Sequence, residues 1–539
     1  MKASQALEIE KKYDVDEDAV VPPLDGLPGV ARTAAPHTAL LEAVYFDTEG
    51  LTLASRRITL RRRTGGTDAG WHLKLPPLEA ASGPEPQQRR ELHAPLGQPD
   101  VVPDSLLDHL QAYLRGAAVA PVVRLETRRT THALYGGDGT HLADLADDRV
   151  TATRLHRAAV PGAAGSAGPA AAEKLHWREW ELELVHGEPS LFAPAGELLA
   201  QAGARPAGHA SKLARALGGA AGGITPDSIE SPDTGTGEST PALRTGKKAP
   251  AAAVVTAYLG AQIEEILAQD PAVREEEPEA VHNMRSATRR IRSVLAAYRK
   301  LYSAGPVRRL RDELKWLGQM LGAPRDAEVL LGRLRGQLDD LPQGDGTDAA
   351  RDRVEHKVGA AYDDGYRLLQ AALRSDRYFR LLDDLEDFRD NPPVRPDAVA
   401  PGRRAAAKAV DKAARRLRRS HRAAAHARRG AAHETALHQV RKDAKRLRHV
   451  AETAALVHGK RAGKVAKAAH RQQKILGDFH DAVIARDLLA TAGGSHDAPA
   501  TVATYAALGN RQDELMRAAE AKYRKARKKS RDLLRRGVI

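Results

Sequence analysis

The chain has 539 residues, a formal net charge of +14 at pH 7 and no cysteine. That length predicts two or three domains, and the missing cysteine excludes a disulfide framework, a thiol nucleophile and thiolate metal ligation. The charge is uneven: residues 1–248 carry 27 Lys and Arg against 32 Asp and Glu, whereas the remainder carries 57 against 38. Only the C-terminal half is therefore expected to attract nucleic acid or another polyanion.

The N-terminus reads Met-Lys-Ala-Ser-Gln-Ala-Leu-Glu, with charge before any apolar run, so no signal peptide is expected. Glu8-Ile9-Glu10-Lys11-Lys12 follows. As a strand it places Glu8, Glu10 and Lys12 on one face and Ile9, Lys11 and Tyr13 on the other. Such a charged face is a poor core, but it can line a wet cavity. Its carboxylates could hold a hard divalent cation and its lysine could meet a phosphate.

Alternation recurs down the first 217 residues. Ile58, Leu60 and Arg62 oppose Thr59, Arg61 and Arg63, and Gly65-Gly66 supplies a turn. Trp71 to Leu75 has His72 and Lys74 on its polar face, and Arg89, Glu91 and His93 alternate around Leu92. Arg124, Glu126 and Arg128 share a face, Asp147 lies in the run Leu142 to Val150, and Glu179, Glu181 and Glu183 oppose Trp180, Leu182 and Leu184. Short helices are expected at about 104–114 and 189–202. One charged strand is commonly just solvated. A whole set repeating the same ionisable types is explained by a closed barrel, charged inside and apolar outside under covering helices, with acids and bases sorted as buried charges require.

Residues 1–217 resemble a CYTH (triphosphate tunnel) domain. The resemblance runs through Glu8-x-Glu10-x-Lys12, Tyr45-Phe46-Asp47-Thr48, Leu60-Arg61-x-Arg63, Leu73-Lys74, Glu91, Thr127-Arg128, Asp147, Glu181-x-Glu183 and Ser211-Lys212. It implies an antiparallel eight-stranded β tunnel barrel that binds triphosphate groups with Mg²⁺ or Mn²⁺. Carried over, Glu8, Glu10, Asp147, Glu181 and Glu183 form the metal side. Lys12, Arg61, Arg63, Lys74, Arg128 and Lys212 form the phosphate side, with Glu91 as a further acidic member. Glu8, Glu10 and Lys12 become the catalytic candidates, and Asp144 and Arg124 are near alternatives to Asp147 and Arg128. The Ala- and Gly-rich run Ala158 to Ala172 is expected to be a loop insertion. The roles are physically coherent. Bases neutralise the phosphates, Arg in bidentate fashion, while carboxylates reach them only through a cation, which an all-oxygen set selects as Mg²⁺ or Mn²⁺. The sequence has no Walker loop or Gly-x-Gly-x-x-Gly to compete.

Residues 218–248 turn to Gly, Ser, Thr, Pro and Asp and are expected to be a flexible linker. From 249 to 539 the pattern is helical. The longest apolar stretch, Ala251 to Ile263, is expected to be too short and mixed to span a bilayer, so the expectation is a cytoplasmic protein with no membrane contact. An internal duplication follows. His282-Asn283-Met284-Arg285 with Arg289 and Arg292 matches His438-Gln439-Val440-Arg441 with Lys445 and Arg448, 156 residues on. Leu321-Gly322-x-x-Arg325-Asp326-Ala327 matches Leu476-Gly477-x-x-His480-Asp481-Ala482, 155 residues on. On a helix each stripe spans roughly 80°.

This half resembles a CHAD domain, an all-α helical domain with an internal two-fold repeat associated with inorganic polyphosphate. The resemblance implies that His282, Arg285, Arg289, Arg292, Arg325, His438, Arg441, Lys445, Arg448 and His480 bind polyphosphate, with attachment to polyphosphate granules as an extension. Scarce aromatics rank nucleic acid second. His433-Glu434 to His438 misses the zincin spacing by one residue, and the basic run Lys522 to Arg536 reads as a solvated helix end. The chain is thus expected to be a metal-dependent hydrolase of triphosphate or short polyphosphate tethered to a polyphosphate-binding domain. The alternatives are a non-catalytic polyphosphate-targeting protein, a thiamine triphosphatase, or a CYTH-type adenylyl cyclase. Oligomeric state does not follow from the sequence.

Overall fold

The computed structural model describes residues 4–75, 87–155, 174–218, 249–396, 398, 400–492 and 498–536. The expected loop insertion and all but Gly218 of the expected linker lie outside the described residues. The chain divides into two compact units, Met1–Thr236 and Gly237–Ile539.

The first unit is built on ten strands: β1 (Ser4–Val15), β2 (Arg32–Thr33), β3 (His37–Asp47), β4 (Thr59–Thr64), β5 (Gly70–Leu75), β6 (Gln87–Ala94), β7 (Ala120–Tyr135), β8 (His141–Arg154), β9 (Lys174–Leu184) and β10 (Arg205–Pro206). Neighbours run β1-β6-β5-β4-β3-β7-β8-β9, and β9 pairs back onto β1, so eight antiparallel strands close on themselves. The short strands β2 and β10 attach to β7 and β1. Four helices accompany them: α1 (Thr52–Ser55), α2 (Asp104–Leu114), α3 (Phe192–Gln201) and α4 (Lys212–Leu217).

Period-two alternation decides what each face does. Outward-facing Ile58, Leu60, Trp71, Leu73 and Leu92 pack with Leu106 and Leu110 of α2. Outward-facing Tyr13, Leu145, Trp180 and Leu182 pack with Phe192, Ala195 and Leu199 of α3. The apolar cores therefore lie outside the barrel, under its helices. One end of the interior is also apolar: Leu213, Ala216 and Leu217 of α4 pack on Val123, Leu125, Val150, Ala152 and Trp177. The rest of the interior is left to the charged side chains.

The second unit is helical: α5 (Ala251–Arg274), α6 (Ala280–Ala297), α7 (Ala304–Met320), α8 (Gly322–Asp339), α9 (Asp345–Leu373), α10 (Asp376–Asp390), α11 (Gly402–His426), α12 (Ala431–His458), α13 (Lys460–Ala492) and α14 (Pro499–Arg536). The apolar stretch at its start is longer than expected. α5 has 24 residues and by length and composition alone could cross a membrane, the one such helix among the described residues. Its Val254, Val255, Leu259, Ile263, Ile266 and Leu267 are instead buried within the protein. Buried Asp270 accepts from Arg274 and Tyr378, so α5 also carries a polar network suited to a protein interior.

Candidate functional site: the charged barrel interior and the basic helix pair

Register sets the interior. Glu10 lies opposite Glu183, Lys12 opposite Glu181, and Glu8 opposite Arg89. Directly opposed side chains on one face are about 5 Å apart at Cβ, so β1 and β9 bring carboxylates together by construction. Lys12 Nζ bonds Glu10 at 2.8 Å and also bonds Glu181. Lys74 Nζ from β5 bonds both oxygens of Glu8 at 2.5 Å.

Two acidic groups of different character result. Asp148, Glu179 and Glu181 lie close enough to share one cation, but Lys212 already occupies their centre, at 2.9, 2.7 and 2.7 Å respectively. Arg129 adds two bonds to Asp148, at 2.8 and 2.7 Å, and one to Glu181 at 2.7 Å. Lys212 arrives there because Ser211 caps α4, its Oγ accepting from the Ala214 backbone N–H at 3.1 Å. Burial opposes every charge in this group; the opposite charges outweigh it, holding Glu181 well below and Lys212 well above their usual ranges.

The second group is Glu8, Glu10 and Glu183. Burial raises Glu10, but Lys12 and Lys74 outweigh it and hold the carboxyl low. Glu183 makes no ion pair among the described residues. Burial, and then Glu8 and Glu10, push it up to about 7 against the pull of Lys74. An excess of carboxylates sharing one face, all-oxygen in its donors, fits a hard divalent cation. The family-implied Mg²⁺ or Mn²⁺ therefore fits Glu8, Glu10 and Glu183, where Glu183 is left without a cation, better than the group around Glu181, where Lys212 already reaches all three carboxylates.

The basic wall comes from β4 and β5. Arg61 reaches Tyr45 Oη at 3.4 Å, and Arg63 pairs with Asp68. Both Nε atoms are buried without hydrogen-bond partners. Burial, Arg61 and Arg129 lower Arg63 to about 10. Beside them His72 Nδ1 lies 2.8 Å from Glu91, and its Nε2 lies 3.0 Å from the Asp68 carbonyl. Burial, reinforced by Arg61 and Arg63 and opposed by Glu91, lowers His72 to about 4. His72 fixes Glu91 on this wall, with the other Glu91 oxygen 3.8 Å from Lys74 Nζ.

The structure thus brings Glu8, Glu10, Lys12, Arg61, Arg63, Lys74, Glu91, Glu181, Glu183 and Lys212 into one interior. Two expected members are outside it. Arg128 is exposed on the outer face, and Asp147 pairs outward with Arg178 at 2.7 Å. Their neighbours Arg129 and Asp148 take the inward positions. The reason is the α4 end, where inward residues of β7 and β8 are apolar, so a charged face did not mark the inside. Counting by twos from Leu125 or Val150 once α4 is known leads to Arg129 and Asp148. Arg129→Ala should cost about 3 kcal/mol of stability by removing both arginine bonds to buried Asp148 and leaving it Lys212 alone, and Arg128→Ala within about 0.5. Denaturant melts decide; equal losses would contradict the assignment.

In the helical unit α6 and α12 pack together and bring the stripes into one field. Burial and then Arg285 and Arg441 lower Arg289 to about 10. Lys445 falls to about 7 through burial and Arg289, Arg441, Arg285 and Arg292. α8 and α13 flank the cluster in matching fashion: a Cβ at Gly322 would lie 3.5 Å from Arg285, and one at Gly477 3.8 Å from Arg441. Arg285 bonds Asp326 at 2.7 and 3.1 Å, and Arg325 pairs with Glu279 and Glu328. His438 and His480 rings are 4.4 Å apart. Burial and Arg325 lower His282, and burial and Arg311 lower Arg292 at the cluster's edge. Arg448 departs from the expectation. It bonds Glu452 at 2.6 Å and His470 at 2.8 Å, beside Arg290 and Tyr258, and is spent on a local network.

A closed antiparallel barrel lined by sorted carboxylates, arginines and lysines is the architecture of a CYTH domain, and the CYTH domain family matches residues 6–215. The CHAD domain family matches residues 257–490. The chain therefore belongs to the proteins that carry a CYTH domain followed by a CHAD domain. Two uncharacterized proteins of Mycobacterium tuberculosis, from strains CDC 1551 / Oshkosh and H37Rv, are each 39% identical over 547 residues, spanning 98% of this chain and 99% of the relative. Among solved structures, PptA from Streptomyces chartreusis is 23% identical and covers 52% of this chain and 99% of its own, with a TM-score of 0.45. The CHAD domain of the plant Ricinus communis is 24% identical over 54% of this chain and 93% of its own, with a TM-score of 0.42. A Hippeastrum protein described as having a dominant triphosphatase activity is 17% identical over 41% of this chain and 98% of its own, with a TM-score of 0.23.

Proposed function

We propose that the barrel hydrolyses inorganic triphosphate, short polyphosphate or another triphosphate compound with Mg²⁺ or Mn²⁺, and that the helical unit binds inorganic polyphosphate. The observation that carries the first half is the division of the interior into an arginine wall and a carboxylate group, Glu8, Glu10 and Glu183, in which Lys12 and Lys74 pair only Glu10 and Glu8 and leave Glu183 over. Glu8, Glu10 and Glu183 would hold the cation, which supplies Lewis-acid polarisation of a phosphoryl oxygen. Arg61, Arg63 and Lys74 bind the remaining oxygens and neutralise charge as it shifts to the leaving phosphate. The Lys212 and Arg129 network sets the geometry of β8 and β9 behind them. Glu183, facing Glu10 across β1 and β9, would help to hold the cation and accept a hydrogen bond from the attacking water.

The cluster of Arg285, Arg289, Arg441 and Lys445 supports the second half. Cations that lower one another's proton affinity gain most from a polyanion, and a chain with 4% aromatic residues has few side chains to stack on bases. Purified protein given Mg²⁺ with tripolyphosphate, ATP and thiamine triphosphate in parallel tests the enzyme reading. The expected order has tripolyphosphate fastest. A preference for thiamine triphosphate or cyclic AMP formation from ATP would replace it, and release from none would leave a binding protein.

A further inference from the structure

The stripes are not the only basic concavity of the helical unit. At the start of α11, Arg403, Arg404, Lys408, Arg415 and the single acid Asp411 line a cleft of about 500 Å³, closed on one side by His458 at the end of α12. Arg404, Lys408, Asp411 and Arg415 follow one another at four-, three- and four-residue steps, which keeps them within roughly 60° of helix surface. Arg403 is fixed separately, because its carbonyl lies 2.9 Å from His458 Nε2. Among the described residues none of these four cations makes an ion pair with a carboxylate. Elsewhere on α11, Arg416 bonds Asp443 at 2.7 Å and Arg418 bonds the Leu534 carbonyl, while Lys412, Arg419 and Arg422 are exposed on the helix but do not line the cleft. The cleft therefore concentrates uncompensated positive charge around a concave surface, not merely along a solvated helix.

Its position matters as much as its charge. Lys445 and His458 lie on the same helix, thirteen residues apart. That is about 20 Å along α12 and roughly 140° around it. A chain of a few phosphates can engage the stripes or the cleft but not both. A long one can run over the surface of the helical unit and engage the two together.

We infer that the Arg403/Arg404/Lys408/Arg415 cleft is a second polyphosphate subsite, which makes the helical unit select long chains over short ones by bivalent binding. The inference rests on the polyphosphate reading of the stripes. Linear polyphosphate is favoured over single-stranded nucleic acid because no Trp, Tyr or Phe lines the cleft to stack on bases. Tethering at the first site raises the local phosphate concentration at the second, so the gain appears only when one chain spans both.

The test uses the full chain carrying Arg404→Ala, Lys408→Ala and Arg415→Ala together. All three side chains are exposed, and circular dichroism and a melt verify folding. Affinity is measured for polyphosphate of several hundred units and for a chain of about eight. The triple variant should lose on the order of tenfold in affinity for the long chain and have a shallower salt dependence, with unchanged affinity for the short one. Arg285→Ala with Arg441→Ala should weaken both. An unchanged long-chain affinity in the triple variant overturns the subsite, as does an equal loss for the short chain. Single-stranded RNA that competes at equal charge, and depends on the same three cations, would make the cleft a nucleic-acid surface instead. Wild-type protein that binds neither chain length overturns the polyphosphate reading itself, a result distinct from all of these.

Discussion

Glu183→Gln should reduce Mg²⁺-dependent turnover of tripolyphosphate by at least about 100-fold, near 2.7 kcal/mol of transition-state stabilisation, without lowering the thermal midpoint. Glu183 faces Glu10 across β1 and β9, makes no ion pair among the described residues, and is raised to about 7 by burial, Glu8 and Glu10. Removing its charge relieves repulsion at neutral pH. The pH dependence has a definite sign. A carboxyl raised from 4.5 to about 7 on folding holds its proton longer in the native state. Its contribution is complete below pH 4.5 and is lost as pH rises through 7. Metal-free wild-type protein should therefore lose stability relative to Glu183→Gln between pH 5 and 8, and Mg²⁺ should stabilise the wild type more than the variant. Glu181→Gln is the contrast: it removes one carboxylate partner from each of Lys12, Arg129 and Lys212, and should cost about 3 kcal/mol of stability. Turnover of Glu183→Gln within a factor of two of wild type, or a midpoint drop like that of Glu181→Gln, would remove Glu183 from the reacting group.

The contrast between Glu181 and Glu183 also marks how far the sequence could be read. Alternation made the barrel legible, because charged and apolar residues trade places at period two along β1, β4, β5 and β9. The covering helices α2 and α3 were legible from their own apolar period, and their bounds match the expected 104–114 and 189–202 closely. Which charges neutralise one another was not legible, because that depends on cross-strand register. Glu181 and Glu183 are identical in pattern, yet one faces Lys12 and the other Glu10. Parity failed on β7 and β8, where α4 makes part of the interior apolar, and this moved the inward positions from Arg128 and Asp147 to Arg129 and Asp148. In the helical half the duplicated stripes were visible as spacing. The diversion of Arg448 to Glu452 was not, since both partners lie on one helix turn that looks like any other charged pair. The α11 cleft stayed hidden because a basic helix face becomes a concavity only through the end of α12.

Binding of long polyphosphate should take up about one proton at pH 8.5, and Lys445 should supply the site. Its ammonium lies among Arg285, Arg289, Arg292 and Arg441, and burial together with these cations lowers it from 10.5 to about 7. In the unbound protein at pH 8.5 it is mostly neutral. A bound polyanion reverses the local potential and raises its proton affinity toward the ordinary value. Linkage then requires the affinity to fall as pH rises from 7 toward 10.5, by up to tenfold per pH unit for a single proton. Unbound stability has the opposite slope. A lysine depressed on folding penalises the native state fully below pH 7, and the penalty is relieved as pH approaches 10.5. Lys445→Met should accordingly raise the thermal midpoint of unbound protein at pH 7, weaken polyphosphate binding, and abolish most of the proton uptake. Calorimetric titration in two buffers of different ionisation enthalpy reads that uptake directly. No uptake by the wild type, or the same uptake by Lys445→Met, would exclude Lys445 as the linked group and return it to the role of a fixed charge.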